Sequence, residues 1–162
     1  KALIYYPVYN YYEMNYSNVL KMMRHPKSLM GLSDSGAHVG TICDASFSTY
    51  LLSHWTRDRI ANGLQGIDLS KAIMMLTSKI ANYLNLDDRG VIEIGKRADL
   101  NVIDYKNLAL GMPKMVAHLP TGSQRLLQSV KGYKYTIVKG QKVIINDKLT
   151  NARPGRLIRA GR

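Results

Sequence analysis

Up to about Gly90 the apolar side chains recur at three- and four-residue spacing, and beyond it the period shortens to two. The first pattern predicts helices and the second strands. Residues 17–24 read as a short helix: Asn15 or Ser17 can accept a hydrogen bond from a free first-turn N–H, and Pro26 ends the run. Residues 46–62 form a longer predicted helix, with Phe47, Tyr50, Leu51, Trp55 and Ile60 approximating a stripe and Gly63 placed to stop it. The cleanest pattern runs from Asp68 to Tyr83, with Asp68 as the expected N-cap and Leu69, Ala72, Ile73, Leu76 and Ile80 on one face. Met74 and Met75 widen that face, which reads as core and not as a cofactor site.

Residues 91–94, 100–103, 133–138 and 142–145 read as strands, with Lys139-Gly140 as a tight hairpin turn and 112–123 as a Pro- and Gly-rich loop. The switch of period places a boundary near Asp88, dividing the chain into regions 1–88 and 89–162. Between the first two helices, Met30-Gly31-Leu32 ends an expected strand over 28–32 and breaks into Ser33-Asp34-Ser35-Gly36, a tight turn. Asp34 is thereby expected at the C-terminal end of a strand. In α/β enzymes that edge carries catalytic groups, because the sheet holds them rigidly while loops wall a cleft around them. The plainer alternative is an Asp whose carboxylate bonds backbone N–H groups of its own turn.

Six of the eleven tyrosines fall within residues 1–16. Tyr5, Tyr9 and Tyr11 alternate partly with Tyr6 and Tyr12, an extended segment packed by rings; only Lys1 offers charge there for nucleic acid. With 46% hydrophobic and 21% charged residues over 162 positions, the composition is that of a soluble globular chain of one or two small domains. No apolar run approaches the ~20 residues of a membrane span, and the N-terminal residues lack a secretory signal. The single cysteine, Cys43, excludes an internal disulfide, and a cytoplasmic location is expected. The first residue is Lys and not Met, so the chain is expected to be a piece of a longer protein.

Net charge is +12, and +10 of it follows Gly90. A basic tail suggests nucleic acid or anionic membrane. Against that, the chain has no zinc-finger spacing, no RNA-binding aromatic motif and no long basic helix, and Pro154-Gly155 interrupts the series Arg153, Arg156, Arg159, Arg162. A solvated basic face draped over the surface is the expected role, with neither nucleic acid nor membrane as partner.

The stretch from Tyr9 to Arg59, containing MGLSDSGAH (30–38), resembles the last barrel segment of the N-acyl-D-amino-acid deacylases of the metal-dependent amidohydrolase superfamily. The likeness continues through LTSKIANYLNLDDRGVIEIGKRADLNVID (76–104), LPTGSQRLLQ (119–128) and TNARPGRLIR (150–159). It implies an α/β fold: the C-terminal portion of a (β/α)8 barrel over 1–88, then strands of a small β-sandwich. The barrel would be incomplete, since a whole one takes ~250 residues. The resemblance makes Asp34 the catalytic proton acceptor and donor, and a possible metal ligand. It makes Arg57, from Arg57-Asp58-Arg59, the grip on a substrate carboxylate, which a guanidinium matches bidentately. His38 would approach substrate or metal from the loop after Asp34.

The implied cofactor is zinc, held mainly by residues this chain lacks. His25, His38, His54 and His118 include no His-x-His pair, and His38 with Cys43 matches no structural-zinc spacing. The implied substrate is a small N-acyl amino acid, and the isolated chain is expected to be inactive. Position 35 departs from the pattern, carrying Ser where relatives commonly have Gly. Two other readings remain at this point. Gly31-Leu32-Ser33 opens like the nucleophile elbow of a serine hydrolase, but the Gly that elbow needs two residues on is Ser35. The second is a non-catalytic binding piece whose basic tail contacts an anionic partner.

Overall fold

Residues 47–61 form one continuous helical segment against which the rest of the chain packs. It comprises α2 (Phe47–Tyr50), a π-helical stretch (Leu51–Asp58) and α3 (Arg59–Ala61), and is preceded by a 3₁₀ turn (Asp44–Ser46). The computed structural model describes residues 3–6, 9–11, 13–31, 33–36 and 38–159. Lys1, Tyr12, Leu32, Ala37 and Arg162, which enter the expectations above, lie outside the described residues. The segment ends where expected: Gly63, at φ +71°, donates its N–H to the Ile60 carbonyl at 3.0 Å. The π-winding, with i→i+5 bonds, was not legible in the stripe. It turns Thr49, Leu51, Leu52, Ser53, Trp55 and Thr56 inward, while Tyr50 and Ile60 face outward.

Helix α1 (Ser17–Arg24) matches its expected span. Asn15 Oδ1 accepts the Ser17 N–H at 2.8 Å, and His25 turns extended ahead of Pro26. The long helix expected over 68–83 is two: α4 (Leu69–Leu76) and α5 (Ser78–Tyr83). Asp68 caps α4 as expected, accepting the Lys71 N–H at 3.1 Å. Thr77 makes the break: its Oγ1 donates to the Ile73 carbonyl at 2.7 Å, and its backbone leaves the helical region (φ −127°, ψ −95°). Ala72 and Met75 are the deeply buried residues of α4, while Ile73 is exposed.

The second half holds three antiparallel sheets among the described residues. One has the order β1 (Leu100–Ile103), β6 (Tyr133–Val138), β7 (Gln141–Ile145), β8 (Lys148–Leu149). The others pair β2 (Ala109–Leu110) with β5 (Val130–Lys131) and β3 (Lys114–Ala117) with β4 (Gln124–Leu127). The β6–β7 hairpin turns at Lys139-Gly140, both at positive φ (50° and 77°), the primed turn the sequence suggested. This is a mixed α/β structure; it does not itself display a barrel.

Three expectations fail locally. Residues 28–31 form no strand, because Ser28 is tied elsewhere. Its N–H and hydroxyl go to the His25 and Met22 carbonyls, and its own carbonyl accepts from Lys79 Nζ at 2.6 Å. Residues 91–94 form none either: Arg97 N–H closes on the Asp88 carbonyl at 2.7 Å, making a loop that leaves Ile92 90% and Ile94 103% exposed. The expected loop over 112–123 contains β3, and only 118–123 turns, with Gly122 N–H on the Leu119 carbonyl at 2.8 Å.

One buried cluster spans the change of period: Leu20, Leu51, Leu52, Trp55, Ile67, Ala72 and Met75 from the helices, and Leu108 from beyond Asp88. Leu108 is 0% exposed and Met75 2%. Among the described residues no helix is long and apolar enough to cross a membrane. Leu108→Ala is expected to destabilise the chain by about 2–5 kcal/mol, the cost of lost transfer energy plus a cavity. Urea unfolding followed by Trp55 fluorescence checks it.

Candidate functional site

The turn that carries Asp34 is built by hydroxyls and by three residues in left-handed backbone. Asp34 has φ +51°, Gly36 +103° and His38 +46°. Asp and His enter that region more readily than most side chains, so the sequence can hold it at modest cost. Ser33 Oγ donates to Ser35 Oγ at 2.9 Å and accepts the Ser35 N–H at 3.4 Å. The two serines thus close the turn on each other. Asp34 is exposed, and among the described residues its carboxylate has neither a hydrogen bond nor an ion pair. The turn follows coil and not a strand, so the expected rigid strand edge is absent.

His38 is exposed as well. Its carbonyl accepts from Thr41 N–H (2.8 Å), Ile42 N–H (3.0 Å) and Thr41 Oγ1 (3.0 Å), which fixes the loop's backbone and leaves the ring outward. Arg57 stands apart from both in its bonding. Its Nε donates to Asp58 Oδ1 at 2.7 Å, and its Nη atoms donate to the carbonyls of Tyr105, Lys106 (3.2 Å) and Leu108 (2.9 Å). Four of the five N–H donors of a guanidinium are so engaged. Its observed work is to join the helical half to the β half, with one N–H left over. The described residues contain no group of three or more His, Cys, Asp or Glu able to hold a metal. Asp34 could supply one ligand, so the chain's described residues do not by themselves fit a zinc site.

An aromatic nest that the apolar stripe did not single out lies beside the π-helical stretch. Tyr50 stacks on His54 with ring centroids 4.6 Å apart and planes 7° from parallel, and Trp55 and Tyr16 meet the His54 ring edge-on. Burial pushes the Tyr50 hydroxyl up to about 12, with Tyr16 adding to it. Burial also lowers the His54 imidazole below its ordinary value, and the Arg59 charge lowers it further. Among the described residues His54 Nε2 is buried and has no hydrogen-bond partner. The i, i+4 pairing of Tyr50 with His54 was the available signal.

Two outcomes follow for stability. Arg57→Lys replaces a fork by a single ammonium and is expected to cost about 1–3 kcal/mol, read as a lower urea midpoint. On unfolding, His54 regains its ordinary basicity near 6.5, so the unfolded chain binds more protons in acid. Stability then rises with pH through that window and falls below about pH 6.5. His54→Phe, which keeps the stack, is expected to flatten the dependence between about pH 5 and 8; an unchanged slope would assign it to other groups.

Comparison with known proteins supplies the context. The sequence profile described as "Amidohydrolase family" matches residues 8–144, a range that includes Asp34, His38 and Arg57. An uncharacterized protein of Mycobacterium bovis, Mb2937c, is 32% identical over 88 residues, covering 54% of this chain and 14% of its own length. The uncharacterized protein Rv2913c of Mycobacterium tuberculosis matches with the same identity and coverage. The chain therefore spans only 14% of the length of these relatives. No solved structure matches it. With the profile extending from the tyrosine-rich segment to β7, the chain belongs to the amidohydrolase family.

Proposed function

We propose that this chain carries the proton-transfer residue of an amidohydrolase that cleaves the amide of small N-acyl amino acids, those of the D series in particular. The observation that carries the reading is the coincidence of the family match over 8–144 with an unengaged carboxylate, Asp34, in the MGLSDSGAH turn. In this reading Asp34 removes a proton from water as the water oxygen adds to the acyl carbon. The protonated Asp34 carboxyl then returns the proton to the amide nitrogen as the C–N bond breaks, giving a carboxylic acid and a free amine, between which a proton then passes to leave carboxylate and ammonium. One group serves as base and then acid, and no external reductant or oxidant is needed. In this reading His38, four residues on and exposed, would meet the substrate's polar groups, and the leftover N–H of Arg57 would offer a weaker contact to a substrate carboxylate. The zinc implied by the resemblance would be held mainly by residues outside this chain, with Asp34 as a ligand this chain could add.

In the complete enzyme, Asp34→Asn is expected to lower kcat for an N-acetyl-D-amino acid by about 10²–10⁴-fold. Folding should be unaffected, since the side chain is exposed. The acid limb of the kcat/KM profile should vanish in the same variant. Near-normal turnover would remove Asp34 from the reaction.

A further inference from the structure

The described residues hold a polar concavity that the Asp34 turn does not line. A cleft of about 570 Å³ opens between α1 and the turn after α3, lined by Lys21, Arg24, His25 and Arg59 together with uncharged residues. A smaller cleft of about 300 Å³ shares Arg24 and His25 and adds Lys71 and Lys79 over the methionines of α1 and α4. Neither is lined by a carboxylate. The sequence explains why: residues 14–33, 59–67 and 69–86 contain no Asp or Glu at all, and the fold brings these three acid-free runs together at the end of α1.

Several of these cations are held in place by the protein. Arg24 donates from Nη1 to Gln65 Oε1 (2.9 Å) and from Nη2 to the Gly66 carbonyl (2.7 Å). Arg59 donates from Nε to the Gln65 carbonyl (2.9 Å) and lies 4.6 Å over the Trp55 ring. These bonds leave Arg24 three N–H donors and Arg59 four, on forks whose positions are already fixed. His25 Nδ1 accepts the Lys27 N–H at 3.2 Å, so the neutral ring carries its proton on Nε2 as a further donor. Lys21 is exposed, and among the described residues its ammonium has no partner. Like charges gathered without a counter-charge repel one another, and a bound anion relieves that repulsion while using the spare donors. The volume is that of a small-molecule pocket.

We propose that the cleft between α1 and the 63–65 turn binds a small molecule bearing a polyvalent oxyanion of the phosphate-ester class. A single carboxylate would occupy one guanidinium fork, whereas a phosphate group offers oxygens to Lys21, Arg24 and Arg59 together.

Calorimetric titration of the 162-residue chain with pyrophosphate, at constant ionic strength, tests this. Saturable one-to-one binding is expected. Lys21→Gln should weaken it about fivefold without changing the melting temperature, and Arg59→Gln should weaken it further. Lys131→Gln, a charge change on β5, should leave it unaltered. Absence of saturable heat would overturn the proposal. So would equal weakening by Lys21→Gln and Lys131→Gln, which would mark general attraction to a basic chain. Tighter binding of citrate than of pyrophosphate would overturn the phosphate assignment in favour of a polycarboxylate.

Discussion

The structure depends on how one helical segment holds the β half, and a single arginine and a single leucine do most of that. Arg57 gathers the carbonyls of Tyr105, Lys106 and Leu108, in and directly after the 3₁₀ turn Tyr105–Asn107. A guanidinium suits this place because its donors diverge in a plane and its charge opposes the partial negative charge of the turn's end. Directly after that turn, Leu108 enters the helical core and is fully buried. The approach is close enough that Gly132 has no room for a side chain: at φ +114°, its Cβ would lie 2.9 Å from Leu108 Cα.

The same interface explains the polar residues inside the helix. Thr49 Oγ1 meets the Tyr133 hydroxyl at 2.8 Å, and Thr56 Oγ1 meets that of Tyr105 at 2.7 Å. Buried hydroxyls left unpaired would cost more than they contribute, so each is matched by a phenol from the β half. Ser53 and Thr56 also donate to the carbonyls four residues back, Thr49 and Leu52. Such side-chain bonds compete with the ordinary i→i+4 ladder. A winding in which the backbone N–H reaches one residue further accommodates that competition, and it is what Leu51–Asp58 adopts.

What the sequence revealed follows from where its signals are local. The Asp68 cap, the Gly63 stop and the Lys139-Gly140 turn with its flanking strands β6 and β7 depend on neighbours a few residues apart, and these were legible; β1 was legible from its alternation and is completed by β6, Leu100 standing opposite Ile137. Residues 28–31 and 91–94 have strand-like patterns, but a strand exists only where another strand supplies partners. Ser28 is instead bonded to α1 and Lys79, and 91–94 is closed into a loop by Arg97. The π-winding accompanies hydroxyl bonds from Ser53 and Thr56 to carbonyls four residues back, which an apolar stripe does not register, and the Tyr50–His54 stack depends on how two rings meet in space. Arg57 was singled out as a grip on a substrate carboxylate, and its bonding to the carbonyls of residues 105, 106 and 108 was not legible.

The Asp34 turn shows how a sequence departure can be absorbed. An Asp in a tight turn ordinarily spends its carboxylate on backbone N–H groups two residues on, which would leave little for chemistry. Here the Ser35 N–H goes to the Ser33 hydroxyl, and the two hydroxyls bond each other. The turn is therefore closed by Ser33 and Ser35, and the left-handed conformation of Asp34 frees its oxygens from the backbone. Ser35, standing where the resemblance expects Gly, thus supplies a bond that glycine cannot make.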